Sequence, residues 1–276
     1  MTYPQHLVTA DWLAQHLDDP QVVVVDCRFA LADPHQGQQQ YADSHIPNAH
    51  YLDLNQAMSG PVQAHGGRHP LPDPAVFSAL LTAAGVISAG PEPTLVVAYD
   101  DSRFAFAARL WWLLRYLGHD RVAVLDGGWS GWVQGGYPTT AELPSPRAGH
   151  FIPAPRPDWV IDIDTLRRRQ AQAGVLLIDA RAPERYRGEV EPIDPVAGSI
   201  PGAVNYFWQA VSTADGQMKP AAELAQHWAA LDEASEVIVY CGSGVTACVN
   251  LLSQTLAGRP MAKLYAGGWS DWCSYL

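Results

Sequence analysis

The sequence predicts an α/β protein built from two copies of one domain, each with a mainly parallel sheet flanked by helices. Two observations support this fold class. Short apolar runs rich in valine, leucine and isoleucine alternate with segments of helical periodicity, as in proteins with parallel sheets. Several motifs of the first half also return in the second half after about 140 to 155 residues, a period too long for a solenoid repeat.

The predicted elements of the first half follow the order expected for such a sheet. A first helix is capped by Thr9 and ended by Asp18-Asp19-Pro20, since threonine accepts from unpaired N–H groups and proline cannot continue a helix. The first-half prediction comprises a helix at 9–17, a strand at 22–28, a short strand within 45–53, a loop at 59–74, a helix at about 75–84, a strand at 94–99, a helix at 104–117, a strand at 122–125 and a turn into a helix at 127–132.

The second half repeats this order motif by motif. The matched pairs are the strand at 22–28 with that at 175–181, the turn at 45–49 with that at 199–203, and the Gly-Gly-Trp-Ser turn at 127–132 with that at 267–272. Six prolines fall between residues 137 and 158, and such a segment is a semi-rigid connector. We therefore expect a first domain at 1–136, a linker at 137–158 and a second domain at 159–276.

Length, charge and cysteine content narrow the class of protein. The chain has 276 residues, of which 48% are hydrophobic, so a packed globular protein is expected. The net charge of −11 argues against nucleic-acid and anionic-membrane partners. Four cysteines without close pairing fit a reducing compartment, and neither a signal peptide nor a membrane span is visible, so a cytoplasmic protein is expected. No cysteine or histidine spacing indicates a metal site.

One cysteine stands where a reactive thiol is expected. Cys241 follows the apolar run at 236–239 and precedes helical spacing over 247–256, with Gly242 and Gly244 between them. Glycines let backbone N–H groups turn toward a common centre, and the first turn of a helix adds unpaired N–H donors, which favour a thiolate. We predict that Cys241 is a nucleophile and that the other three cysteines pack as small hydrophobic residues.

The repeat predicts that only the second copy carries this chemistry. Aligning residues 97–100 with 238–241 places Asp100 where Cys241 stands. The first copy therefore lacks the nucleophile, and it is expected to serve as a scaffold and to supply part of the cleft.

Together these features resemble the tandem-domain rhodanese-type sulfurtransferases. The loop Cys-Gly-Ser-Gly-Val-Thr-Ala that begins at Cys241 is similar to that of the 3-mercaptopyruvate sulfurtransferases, whereas thiosulfate sulfurtransferases place basic residues where this chain has Gly242 and Ser243. The resemblance implies that Cys241 takes sulfur from a small-molecule donor, carries it as a persulfide and passes it to a thiol or cyanide acceptor. Thioredoxin is an implied acceptor, and no metal or organic cofactor is implied.

The resemblance also implies residues that bind the substrate. Arg185 matches the arginine that binds the donor carboxylate, although a lone arginine is usually a solvated surface residue. Gly242 and Gly244 are expected to turn backbone N–H groups toward the sulfur, and Val245 and Thr246 close the loop. For Thr246 we expect a helix cap, with donation to the persulfide as the alternative.

A polar relay beside the cysteine is implied as well. Ser243, His69 and Asp53 match the serine, histidine and aspartate of mercaptopyruvate enzymes. In such a relay a carboxylate orients the imidazole, and the imidazole polarises the serine hydroxyl for proton transfer. The competing interpretation is that His69 and Asp53 are ordinary loop and strand-end residues.

One departure from the resemblance leaves the donor open. Mercaptopyruvate enzymes usually carry a second arginine about nine residues after the first, but position 194 is aspartate here. Arg187 or Arg68 could supply the missing contact. Thiosulfate therefore remains an alternative donor, and loading by a protein partner, as in a persulfide carrier, remains a further alternative. A cysteine phosphatase is disfavoured, because its loop needs arginine where this chain has Ala247.

Overall fold

The structure is a computed structural model and describes residues 3–276. Contacts between Cα atoms divide the chain into two compact units. The first unit comprises residues 3–60, 72–156 and 214–217, and the second comprises residues 61–71, 157–213 and 218–276. The segment 61–71 thus belongs to the first half of the sequence but folds as part of the second unit.

The first unit contains a parallel sheet covered by helices. Its strands are β1 (His6–Val8), β2 (Val22–Asp26), β3 (His50–Tyr51), β4 (Leu95–Tyr99) and β5 (Val122–Leu125). Its helices are α1 (Ala10–Ala14), α2 (Gln36–Asp43), α3 (Pro74–Ala83), α4 (Ala107–Tyr116) and α5 (Gly128–Gln134). Within the described residues, the strand order is β1-β5-β4-β2-β3 and every pairing is parallel. Strands β2, β4 and β5 are buried throughout, as the continuous apolar runs predict.

The second unit repeats this architecture with fewer strands in the described part of the chain. Its strands are β6 (Val175–Asp179), β7 (Val204–Asn205), β8 (Glu236–Tyr240) and β9 (Lys263–Leu264), in the order β7-β6-β8-β9. Its α-helices are α6 (Ile163–Arg169), α7 (Pro183–Tyr186), α8 (Ala221–His227), α9 (Ala247–Leu256) and α10 (Gly268–Cys273). All pairings are again parallel. The predicted α/β fold with two mainly parallel sheets is confirmed.

Some boundaries of the helices and strands differ from those predicted from the sequence. The Thr9 cap is confirmed, since its hydroxyl accepts from the backbone N–H of Trp12 at 3.2 Å. Strand β1 was not expected, because three residues carry too little pattern to be recognised. The helix predicted from residue 104 begins only at Ala107, because Asp100 binds the backbone N–H groups of the preceding turn.

A buried ion pair ends the corresponding strand of each unit. Arg181 folds back onto Asp179 with distances of 2.7 to 3.1 Å and also donates to the carbonyl of Gly198. Its guanidinium lies 4.9 Å from the ring centre of Trp269, in the Gly-Gly-Trp turn. In the first unit the same arrangement joins Asp26, Arg28 and Trp129. This geometry gives Arg181 a structural role at the end of the strand.

Two further features concern the chain as a whole. None of the helices in residues 3–276 has the length and apolar character needed to cross a membrane. Each of the four cysteines is a buried thiol outside any disulfide.

Candidate active site

The nucleophile candidate lies at the carboxyl end of the second parallel sheet. Strand β8 ends at Tyr240, Cys241 follows it, and helix α9 begins six residues later at Ala247. Cys241 is 1% exposed. The carboxyl ends of parallel strands are where α/β proteins place their ligand sites, because the connecting loops there leave the sheet in divergent directions.

The corresponding loop of the first unit shows how such a loop handles an anion. The buried carboxylate of Asp100 accepts hydrogen bonds from the backbone N–H groups of Ser102, Phe104, Phe106 and Ala107 at 2.8 to 3.1 Å. Burial raises the pKa of Asp100, and the four N–H groups oppose that shift. The loop between a strand and a helix of this fold is therefore a cradle for negative charge.

In the second unit the loop offers a similar set of donors to a cysteine. The backbone N–H groups of Ser243, Val245, Thr246 and Ala247 have no hydrogen-bond acceptor among residues 3–276. They lie in a loop that is largely buried around Cys241. Buried N–H groups without acceptors are uncommon in folded proteins, so these donors indicate a site for an anion.

Close backbone packing holds this loop in place. Gly244 has a φ of +72°, and a Cβ there would lie 2.3 Å from the carbonyl oxygen of Ala266. Gly268 has a φ of +62°, and a Cβ there would lie 2.6 Å from the carbonyl oxygen of Cys241. The N–H of Trp269 donates to that same carbonyl at 2.8 Å. The repeated Gly-Gly-Trp motif thus serves to lay the turn before α10 directly against the loop.

The structure brings two residues of the predicted relay together. Nδ1 of His69 lies 2.7 Å from Oγ of Ser243, and both side chains are buried. His69 reaches the loop because segment 61–71 is attached to helix α10: the N–H of Gly66 donates to the Asp271 carboxylate at 2.6 Å, and His65 contacts Ser274. This attachment joins two sequence positions 174 residues apart.

The third residue of the predicted relay, Asp53, belongs to the first unit. Its carboxylate accepts from the backbone N–H groups of Asn55 and Gln56 at 2.7 and 2.9 Å, and from the hydroxyl of Tyr51 at 3.4 Å. These bonds form a turn directly after β3. A role for Asp53 beside His69 stays a prediction.

Arg185 is held in a network of carboxylates rather than solvated at the surface. It lies on the short helix α7, and its Nε and Nη2 donate to Glu191 at 3.2 and 2.6 Å. Nη2 also donates to Asp194 at 3.2 Å. Burial alone would raise the pKa of Glu191, but the hydrogen bonds from Arg185 and from backbone N–H groups hold it below its ordinary value.

Arg68 is a second arginine at the same place, and it was named from the sequence only as one of two candidates. Nη1 of Arg68 forms an ion pair with Asp194. A Cβ on Gly242 would lie 3.1 Å from Nη2 of Arg68 and 3.7 Å from Nη1 and Nη2 of Arg185. Two guanidinium groups therefore lie beside the loop, although Gly242 and Ser243 carry no charge themselves. Local sequence could not choose between Arg68 and Arg187, because Arg68 is distant from Cys241 along the chain.

Other expectations about the loop are corrected. Thr246 occupies the N-cap position of α9 but makes no capping hydrogen bond, since its φ of −71° and ψ of −16° are helical rather than extended. The expected helix cap is therefore wrong. Arg187 pairs with Glu189 at the surface, with 52% of its side chain exposed, and does not join the network of Arg185. Val245 is buried within the loop.

A cavity of about 610 Å³ lies elsewhere in the second unit. It is lined by residues at the amino ends of β6, β8 and β9, including Val175, Glu236 and Lys263. This edge of the sheet is opposite the one that carries Cys241. Among residues 3–276, no group of three or more histidine, cysteine or acidic side chains could hold a metal ion.

Comparison with known proteins gives matches along nearly the whole chain. The rhodanese-like domain family matches residues 9–135 and again 162–275. A Pseudomonas aeruginosa protein named "Probable 3-mercaptopyruvate sulfurtransferase" is 47% identical over 271 residues, which cover 96% of this chain and 94% of that protein. SseB of Mycobacterium tuberculosis, provisionally named a thiosulfate sulfurtransferase, is 38% identical over 277 residues, covering 98% of this chain and 94% of SseB.

Structural similarity agrees with these matches. The crystal structure of SseA, a 3-mercaptopyruvate sulfotransferase of Escherichia coli, aligns with a TM-score of 0.82 at 32% identity, covering 97% of this chain and 100% of SseA. The family expected from the sequence is confirmed. With two family matches that fall one in each half of the sequence, the chain belongs to the rhodanese family as a tandem-domain member.

Proposed function

We propose that this protein is a sulfurtransferase that takes the thiol sulfur of 3-mercaptopyruvate as a persulfide on Cys241 and passes it to a thiol or to cyanide. The observation that carries the proposal is the pair of loops after β4 and β8. In the first loop backbone N–H groups bind the Asp100 carboxylate. The second loop holds Cys241, and its N–H groups at Ser243, Val245, Thr246 and Ala247 lack acceptors among residues 3–276.

Covalent geometry relates these two loops. The carboxylate oxygens of aspartate stand two bonds from Cβ, and so does the outer sulfur of a cysteine persulfide. A persulfide on Cys241 would therefore carry its negative charge the same number of bonds from the backbone as the charge that the Asp100 loop holds, on a slightly longer arm. Fixed N–H donors stabilise such a charge without reorganising, which favours formation of the persulfide.

The reaction proceeds by two displacements. The Cys241 thiolate attacks the donor sulfur, so an S–S bond forms while the C–S bond breaks and its electron pair goes to the donor carbon. Protonation of that carbon gives pyruvate, and the proton lost by the donor thiol balances this uptake. In the second step the acceptor attacks the outer sulfur, and Cys241 leaves as a thiolate.

Ser243 and His69 supply the proton transfer in the first step. Their 2.7 Å contact lies in the loop that carries Cys241, and histidine is the side chain best suited to exchange protons near neutral pH. Thiosulfate has no carbon that must be protonated. The Ser243–His69 pair therefore supports a keto-acid donor over thiosulfate, and the name of the 47% identical relative supports it too.

Donor loading followed by mass spectrometry tests the proposal. The protein is incubated separately with 3-mercaptopyruvate and with thiosulfate, and the mass of the Cys241 peptide is measured. We expect one added sulfur atom from 3-mercaptopyruvate, none in Cys241→Ser, and unchanged loading in Cys248→Ser, whose thiol contacts the Gly244 carbonyl at 3.4 Å inside the fold.

Three other outcomes would each overturn part of the proposal. Loading by thiosulfate alone would replace the donor. Loading by neither small molecule, but by a persulfidated protein, would make the chain a persulfide carrier. Turnover by Cys241→Ser would remove the assignment altogether.

The acceptor and the compartment belong to the same proposal. A protein dithiol such as thioredoxin can take the outer sulfur and release it as sulfide when its disulfide closes. We place the protein in the cytoplasm, where four reduced thiols are stable. Sulfide release that depends on reduced thioredoxin, measured after loading, would support this acceptor. Removal of the outer sulfur only by cyanide or small thiols would contradict it.

A further inference from the structure

We propose that Arg68 and Arg185 form one paired site for the donor carboxylate, and that Asp194 is the positioning residue that holds the pair. This inference rests on the proposed function and names the residues that select its substrate. The three side chains belong to three separate segments of the second unit: the loop at 61–71, helix α7 and the turn after Glu191.

Both guanidinium groups lie against the same glycine. Nη2 of Arg68 is 3.1 Å, and Nη1 and Nη2 of Arg185 are 3.7 Å, from the position that a Cβ on Gly242 would take. Gly242 is the residue next to Cys241 in the chain. An anion bound between the two arginines would therefore lie beside the nucleophile.

Each arginine keeps N–H donors for a ligand. Asp194 takes Nη1 of Arg68, while Glu191 and Asp194 take Nε and Nη2 of Arg185. Nε and Nη2 of Arg68 and Nη1 of Arg185 have no acceptor within the part of the chain that the structure describes. Guanidinium groups with such donors bind carboxylates with a defined orientation.

Position 194, nine residues after Arg185, is an aspartate. Asp194 is 7% exposed, so its charge needs partners, and its carboxylate binds both arginines at once. The aspartate thus recruits Arg68 from segment 61–71 to supply the second guanidinium.

Two donors that differ only in the carboxylate distinguish carboxylate binding at this site from sulfur transfer at Cys241. In mercaptoacetone, 1-mercaptopropan-2-one, the carboxylate of 3-mercaptopyruvate is replaced by a methyl group, while thiol and carbonyl are kept. The rates of Cys241 persulfide formation are measured for both donors with the wild-type protein, Arg68→Gln, Asp194→Asn and the double variant. Arg187→Gln is the matched control, because it removes an arginine charge that is paired at the surface.

We expect Arg68→Gln to raise KM for 3-mercaptopyruvate at least about tenfold, equivalent to about 1.4 kcal/mol, with kcat within about twofold. Its rate with mercaptoacetone should stay near that of the wild type, so the preference for the carboxylate collapses. Arg187→Gln should change neither donor's kinetics.

The double variant tests the role of Asp194. If Asp194 positions Arg68, the loss caused by Arg68→Gln will shrink by several-fold in the Asp194→Asn background, because the arginine is already misplaced there. Additive losses would show that the two residues act independently and would overturn the positioning role.

The two proposals fail in distinguishable ways. Equal losses with both donors in Arg68→Gln would mean that Arg68 has a structural role, and unchanged KM for 3-mercaptopyruvate would mean that it does not touch the donor. Either result overturns the paired site while Cys241 still loads. A wild-type protein that forms no persulfide from 3-mercaptopyruvate would instead overturn the proposed function.

Discussion

His69 illustrates how a single side chain acquires a role from its neighbours. It is buried, and its Nδ1 lies within hydrogen-bond distance, 2.7 Å, of the Ser243 hydroxyl. A serine hydroxyl alone is a poor acid and a poor base at neutral pH, but its proton affinity changes when an imidazole accepts from it or donates to it. The pair is therefore equipped to move one proton next to Cys241.

The variant His69→Ala tests this pair. We expect turnover of 3-mercaptopyruvate to fall about 100-fold, the lower range for general acid–base catalysis, because the keto-acid donor requires protonation at carbon. Cyanide-dependent turnover of thiosulfate, if present, should change much less. Steady-state kinetics with both donors give the comparison. An equal fall with both would indicate that His69 only supports the loop.

Among the elements, the loop after β8 and the turn before α10 behave as one structural unit. The backbone of Gly268 lies against the Cys241 carbonyl, and Trp269 and Ser270 donate N–H groups to the carbonyls of Cys241 and Gly242 at 2.8 and 2.9 Å. A side chain at position 268 would separate the two backbones. The chain repeats this contact in the first unit, where a Cβ on Gly128 would lie 2.3 Å from the Asp100 carbonyl.

Two glycine-to-alanine variants distinguish this contact from backbone strain alone. Gly268 and Gly258 both have positive φ, +62° and +77°, but only a Cβ at Gly268 meets other atoms. We expect Gly258→Ala to lower the free energy of unfolding by about 1–2 kcal/mol and to keep full activity. Gly268→Ala should cost more stability and lower turnover at least about tenfold, because the Cys241 loop is displaced.

Urea unfolding and steady-state kinetics of the two variants provide the test. Equal activity in both would show that the loop tolerates displacement by the turn, and the tight packing at Gly268 would then have no catalytic consequence.

At the scale of the whole molecule, buried histidines make stability dependent on pH. Burial lowers the pKa of His119 to about 4 from its ordinary 6.5, and it does the same for His6. Between these pH values the unfolded chain binds a proton on each histidine and the folded chain does not. The contribution of these histidines to the free energy of unfolding is therefore fully present above pH 6.5 and is lost as the pH falls toward 4.

The variant His119→Asn removes one of these groups. The wild-type protein should lose up to about 3 kcal/mol of unfolding free energy through His119 between about pH 7 and about pH 4, and the variant should lose correspondingly less. Urea unfolding at both pH values measures the difference. The exposed His35→Asn is the control. A variant as acid-sensitive as the wild type would show that other groups dominate.

Much of the site could be predicted because its signal is local. The strand before Cys241, the glycines after it and the helix beyond them are adjacent in sequence, and the repeat identified Asp100 as the corresponding residue. Arg185 was found from its motif. Glu191 and Asp194, which hold Arg185, were missed as partners, although acidic residues following an arginine-rich helix end are a signal that could have suggested them.

The sequence by itself determined the two parallel sheets, the family and the candidate nucleophile, because apolar periodicity, a near-exact repeat and a loop motif are all encoded over short distances. Only the tertiary structure decided which residues surround Cys241. Segment 61–71 folds with the second unit through contacts to Asp271 and Ser274, and it brings Arg68 and His69 to a loop more than 170 residues away. Such contacts depend on the packing of complete elements, which no local pattern records.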